Sequence, residues 1–172
     1  MSEETLEYYN KNAKDFNDST FEVDFIKVQE WFCKHLKAGS FILDFGCGSG
    51  RDTKYFLEHG YKVDAIDGSK ELCKRASVNT GIKVKNQDFN DLNEIAKYDG
   101  IWACASILHL RYNKLKEVLV KMSTALNEGG IIYCSFKYGD FEGVRNGRYF
   151  TDMTAEKLDR LIDEIGVLEL RD

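Results

Sequence analysis

The stretch Phe41-Ile-Leu-Asp44-Phe-Gly46-Cys47-Gly48-Ser-Gly50-Arg51 constrains this chain more than any other. A short apolar run ends in three glycines at alternate positions, and an amphipathic segment follows. Glycine tolerates the left-handed backbone of a tight turn and lets a ligand lie against the main chain with no β-carbon between. An apolar run without alternation suits a parallel strand covered on both faces. Strand, glycine turn and helix in that order open an α/β fold. A dinucleotide fingerprint, G-x-G-x-x-G, would need its third glycine at position 51. Arg51 stands there and the third glycine comes one residue early, so an NAD-dependent oxidoreductase is the lesser reading.

The same alternation continues along the chain. Apolar runs at Phe41–Phe45, Lys62–Ile66, Ile82–Asn86, Gly100–Ala105 and Gly130–Phe136 are separated by helical spacing over Arg51–His59, Ser69–Ser77 and Asn113–Asn127. Thr154–Ile165 places Leu158, Leu161, Ile162 and Ile165 on one stripe, and Val167–Leu170 reads as a sixth strand. This pattern predicts a doubly wound, mostly parallel sheet. Right-handed crossovers bring the carboxyl ends of its strands to one edge, where ligands bind. Ahead of it, Leu6, Tyr9, Ala13 and Phe16 share one helical face behind a capping Ser2. A second helix is expected over Glu22–Lys37, stopped by Gly39. With no repeat or linker, one domain is expected over 1–172, with a helical cover at 1–38 and an α/β core at 39–172.

Composition narrows the function. The 172 residues are 43% hydrophobic and 31% charged, which suits a folded core. No run approaches the ~20 apolar residues a bilayer needs. Met1-Ser2-Glu3-Glu4 is acidic where a secretory signal is basic, so a cytoplasmic location is expected. A net charge of −5 argues against a nucleic-acid partner. Cys33, Cys47, Cys73, Cys104 and Cys134 are odd in number and form no C-x-x-C pair. Neither a disulfide framework nor a metal site is expected of them.

Candidate site residues fall at the strand ends. Asp67, followed by Gly68, lies about 20 residues after the glycine turn, where a carboxylate can accept both hydroxyls of a ribose. Asp88-Phe89 offers an acceptor for an exocyclic amine and a ring to lie against a base. Cys104-Ala105 leaves space beside the glycine turn. His109 comes next, and an imidazole can serve as a base near neutral pH or simply pack the loop. After the fifth run, Lys137, Tyr138, Arg145, Arg148 and Tyr149 either orient an anionic acceptor or form a solvated loop paired with Asp140, Glu142 and Asp152.

Taken together, these motifs make the sequence similar to class I S-adenosylmethionine-dependent methyltransferases. Asp44-x-Gly46-x-Gly48-x-Gly50 matches the family's cofactor loop, Asp67 its ribose acid, Asp88-Phe89 its adenine site and Cys104–His109 the stretch after its fourth strand. Gly50-Arg51-Asp52, Phe136-Lys-Tyr-Gly139 and Gly147-Arg-Tyr-Phe150 resemble the small bacterial tellurite-resistance-like group. The resemblance implies strand order 3-2-1-4-5 plus a sixth, with S-adenosylmethionine as cofactor and S-adenosylhomocysteine as product. It adds Tyr9, Cys47, Gly50 and Gly68 to the cofactor contacts. It implies in-line methyl transfer to a small molecule, with a non-catalytic, regulatory cofactor-binding module as the alternative. The family's sheet usually ends in an antiparallel strand inserted between the fifth and sixth. That strand is expected to be missing here, leaving the edge beyond Ile131–Phe136 open to a homodimer.

Overall fold

The computed structural model describes residues 1–171. Its centre is a five-stranded parallel sheet in the order β3-β2-β1-β4-β5. The strands are β1 (Phe41–Phe45), β2 (Lys62–Asp67), β3 (Lys85–Asn86), β4 (Tyr98–Ala103) and β5 (Leu126–Cys134). Between and after them run α4 (Arg51–Glu58), α5 (Lys70–Thr80), α6 (Tyr112–Ala125) and α7 (Ala155–Ile165). The doubly wound sheet and its order are as the sequence implies.

Side-chain alternation on the central strands builds the two faces. Ile42 of β1 and Trp102 of β4 pack with Phe32 and Phe56 on one side. Leu43, Phe45, Ile101 and Ala103 point to the other, against Leu115, Val118 and Met122 of α6 and Leu161 of α7. Trp102 stacks on Tyr133 of β5 at 4.1 Å between centroids. Each fully buried leucine or phenylalanine contributes about 1.5–3 kcal/mol.

Several boundaries differ from those the sequence suggests, each for a local reason. The first helix is two, α1 (Glu3–Lys11) and α2 (Ala13–Thr20). They part at Asn12, whose side-chain amide donates to the Tyr8 carbonyl at 2.8 Å and draws the backbone out of helical geometry. The next helix, α3, covers only Ile26–Cys33, because the Asp24 carboxylate accepts from the Ile26 amide and fixes its start. β3 is two residues long, since the Val84 amide donates to Ser77 Oγ rather than to β2. Helix α6 stops at Ala125, and Leu126 is already extended, so β5 begins four residues before the expected Gly130.

Two differences matter more. Val167–Leu170 is no strand: Gly166 ends α7 in the left-handed region, and Val167 and Leu170 point into solvent. In place of that strand the chain forms an antiparallel hairpin, β6 (Glu142–Arg145) and β7 (Arg148–Thr151), apart from the main sheet. Asn146 and Gly147 both have positive φ, the two-residue turn that matches strand twist. β7 packs against α1 and the turn at Ile107–His109, which brings the hairpin to the carboxyl edge of the sheet.

Candidate active site

The glycine turn forms the floor of a cavity of about 380 Å³ at that edge, a size typical of small-molecule sites. Gly46 and Cys47 donate their amides to the Ile66 carbonyl of β2, both at 3.0 Å. This bends the chain sharply off β1 and requires φ +91° at Gly46. A β-carbon there would lie 2.4 Å from Ser106 Cβ, so only glycine fits. Cys47 lines the floor with its thiol buried, and burial pushes that thiol well above its ordinary range.

Asp67 closes one end. Its carboxylate accepts from the Gly48 amide at 2.9 Å and the Ser69 amide at 2.7 Å, tying β2 to the turn. Burial pushes it up to about 6, against the lowering effect of the two amides. Phe89 lies beneath, 4.6 Å from the Phe45 ring. Asp88 does not line the cavity. It is held by the chain's own N-terminal ammonium at 2.6 Å, and Met1 lines the space instead.

Behind the turn sits a buried polar group to which the sequence motif Gly50-Arg51-Asp52 assigned no role. Asp52 accepts from Gln29 Nε2 at 2.6 Å and from Trp102 Nε1 and Arg51 at 2.8 Å. The Arg51 guanidinium also covers the Phe25 ring at 4.4 Å and comes within 3.8 Å of Cys104 Sγ. Burial pushes the Cys104 thiol up to about 11, so it is protonated at neutral pH. Ala105 turns at φ +48°, its amide donating to Ser135 Oγ.

At the far end, the roof from α1 meets the hairpin. His109 is 3% exposed and makes two hydrogen bonds: Nδ1 with the Tyr149 carbonyl at 2.6 Å, Nε2 with the Tyr9 hydroxyl at 2.8 Å. A carbonyl only accepts, so Nδ1 carries the hydrogen and Tyr9 donates to Nε2. Burial, with the charges of Arg148 and Lys137, lowers His109 to about 4 and keeps the ring neutral. Lys137, Arg148 and Phe150 complete the lining. Arg148 lies over the Tyr8 and Phe150 rings, and its Nε is buried without a hydrogen-bond partner among the described residues.

The cavity thus gathers Tyr9, Gly46, Cys47, Gly48, Asp67, Phe89, Cys104, Ala105, His109, Lys137 and Arg148. Gly50, Gly68 and Asp88 stand off it. Gly50 makes room for Ala76 and Thr80 of α5, and Gly68 for Leu6 of α1. Three of the expected acceptor residues are elsewhere. Tyr138 is 83% exposed, Arg145 pairs with Asp152 at 2.5 Å, and Tyr149 turns its hydroxyl to Glu142 at 2.8 Å. The lining residues missed in the sequence include Phe16, Phe25, Arg51, Asp52, Ser135 and Phe150. The Asn146-Gly147 turn between alternating residues was the available signal for the hairpin that carries the last of these.

Comparison with known proteins agrees with this architecture. A protein of Geobacillus thermodenitrificans (strain NG80-2), described as an uncharacterized methyltransferase, is 31% identical over 134 residues, 72% of this chain and 62% of its own length. This chain therefore spans less than two thirds of that relative. The Burkholderia thailandensis 1,6-didemethyltoxoflavin-N1-methyltransferase, solved with 1,6-didemethyltoxoflavin and S-adenosylhomocysteine, superposes with TM-score 0.78 at 23% identity, over 94% of this chain and 76% of that one. A Rhodobacter sphaeroides structure described as putative Zn-dependent alcohol dehydrogenases gives TM-score 0.79 at 10% identity, over 98% of this chain and 89% of that one. Likeness at these identities speaks for the fold alone. A family model described as a methyltransferase domain matches residues 42–130, and the chain belongs to that family.

Proposed function

We propose that the chain transfers a methyl group from S-adenosylmethionine to a small anionic acceptor. The observation that carries this reading is the polarity of the cavity. Asp67 ends β2, Lys137 follows β5 across the sheet, and Arg148 opens β7, so the carboxylate and the two cations enter the cavity from different elements. Among the described residues, neither cation has a carboxylate partner. Cations lining a cavity without a carboxylate of their own favour an anionic guest.

The cofactor fits the residues present. Asp67 offers its carboxylate to the ribose hydroxyls, Phe89 its ring to the adenine, and the turn at Gly46–Gly48 a main-chain surface free of β-carbons. When bound, S-adenosylmethionine supplies an electrophilic methyl group. Arg148 and Lys137 orient the acceptor, and the aromatic walls exclude water, so that alignment and desolvation supply much of the acceleration. His109 is the candidate to receive a proton where the acceptor must lose one.

Gly50-Arg51-Asp52 and Gly147-Arg-Tyr-Phe150 support placement in the tellurite-resistance-like group. The net charge of −5 supports a small acceptor over a nucleic acid. Among the described residues no helix is long and apolar enough to cross a membrane. β5 forms an edge of the sheet, and its outer backbone favours pairing with a second copy, to be read by sedimentation.

Calorimetric titration with S-adenosylmethionine, S-adenosylhomocysteine and NAD tests the cofactor reading. Binding of the first two alone is expected, and binding of NAD alone would overturn it. Binding without turnover over a broad panel of anionic acceptors would favour a regulatory module.

A further inference from the structure

A base that removes the acceptor's proton needs a free nitrogen, and His109, though it lines the cavity, has both of its own engaged. The ring is buried, Nδ1 is committed to the Tyr149 carbonyl, and Nε2 is covered by the Tyr9 hydroxyl. Tyr9 itself lines the cavity, and its phenol oxygen also lies 3.5 Å from Arg148 Nη1. We infer that Tyr9 is the catalytic residue that meets the acceptor's proton, and that His109 acts behind it as the reservoir of a two-step relay. This rests on reading the cavity as a methyl-transfer site for an acceptor with an acidic hydrogen.

The transfer balances. For an acceptor X–H, a bond forms between X and the methyl carbon while the methyl–sulfur bond breaks and its electron pair stays on sulfur. The X–H proton moves to the Tyr9 oxygen as the Tyr9 proton moves to His109 Nε2. Tyr9 ends as a neutral phenol and His109 as an imidazolium, so the positive charge lost by the sulfonium reappears on the ring.

The surroundings suit a reservoir that is empty at rest. Lys137 and Arg148 face His109 and oppose its protonation, while the Tyr149 carbonyl favours it. Burial is the main cause that keeps His109 neutral, and an anionic acceptor seated on the two cations removes only their part of the opposition. The Phe150 ring, 4.7 Å away, keeps water from the imidazole. Burial raises the Tyr9 phenol above its ordinary range, with Asp67 and Tyr8 adding to this and Arg148 opposing it, so Tyr9 gives up its proton only as it receives another. A purely structural role remains the competing account, since the same bond pins α1 to the turn at Ile107–His109.

4-Nitrophenol separates the two, because absorbance reports its ionisation when bound. The protein is saturated with S-adenosylhomocysteine and titrated with the probe below the probe's own pKa, in two buffers of different ionisation enthalpy. The relay predicts that the probe binds as nitrophenolate while the complex retains the proton, so net release to the buffer is near zero. Tyr9→Phe, which keeps the ring contacts, and His109→Asn should each either release one proton per bound nitrophenolate or bind the neutral phenol. Thermal melts report whether both variants fold. Release of one proton by the unaltered protein, binding of the neutral phenol to it, or stoichiometry unchanged in a folded Tyr9→Phe overturns the relay and leaves the anion site standing. Failure of the probe to bind the S-adenosylhomocysteine complex overturns the acceptor site, and the relay with it.

Discussion

Thr53, in the first turn of α4, donates its hydroxyl hydrogen to Asp44 Oδ2 of β1 at 2.5 Å, inside the core. Burial, with the neighbouring Asp52 charge, pushes Asp44 up to about 8. An unfolded aspartate titrates near about 3.9, so the native chain holds a proton over a range in which the unfolded chain has lost it. The stabilisation is complete below about 4 and is lost as pH rises through about 8. Asp44→Asn should flatten this decline, seen in urea unfolding across that range. An unchanged slope in the variant would refute the assignment.

Cofactor affinity should depend on pH through Asp67. The group rises to about 6 by burial, and ribose recognition needs its ionised form. Affinity for S-adenosylhomocysteine should therefore weaken as pH falls through about 6. Asp67→Ala should remove that dependence and cost about 1–3 kcal/mol of binding at neutral pH, the scale of lost charge-assisted hydrogen bonds. Titration calorimetry at several pH values checks both effects, and full affinity in a folded variant would exclude the role.

The two hairpin arginines should separate cleanly. Arg148→Met should weaken benzoate binding to the S-adenosylhomocysteine complex about ten- to a hundredfold, leaving cofactor affinity unchanged. Arg145→Ala should spare benzoate and lower stability by about 1–3 kcal/mol, because it strands the buried Asp152 carboxylate. If Arg145→Ala abolished benzoate binding in a folded protein, the assignment would be reversed.

Gly46→Ala should be poorly tolerated. Its β-carbon meets Ser106 Cβ at 2.4 Å, and φ +91° strains any larger residue. A loss of about 1–3 kcal/mol is expected, read from chemical unfolding, with cofactor binding falling alongside. A variant as stable as the parent would show that the turn can relax.

The sheet and its glycine turn were legible because their causes are local. Apolar runs such as Phe41–Phe45 and the spacing of Gly46, Gly48 and Gly50 declare themselves in a few consecutive residues. The hairpin was not, since Glu142-Gly-Val-Arg145 carries one large apolar residue and is held by packing on α1 and the Ile107–His109 turn. Arg145 and Arg148 are three residues apart and indistinguishable in sequence, yet the turn between them sends one to Asp152 and the other to the cavity. Val167–Leu170 has the composition of a strand, but pairing needs a partner edge that sequence does not report. The burial of His109 under Tyr9 likewise joins residues 100 positions apart.

The roof, which α2 extends, lies close to the floor: Phe16 Cε1 is 3.0 Å from where a β-carbon on Gly48 would stand. The bonds that hold it, Tyr9 to His109 and Thr5 to the Tyr149 amide, close loops of 100 and 144 residues. The pairing of β1 with β2, by contrast, joins residues such as Phe41 and Lys62. Closing a longer loop costs more chain entropy, and distant contacts form slowly. The order of assembly follows: the sheet can form while the first helices are still loose, and the binding cavity is completed last. During refolding, a chain whose far-ultraviolet signal still falls short of native and which has no affinity for S-adenosylhomocysteine is then the expected late species.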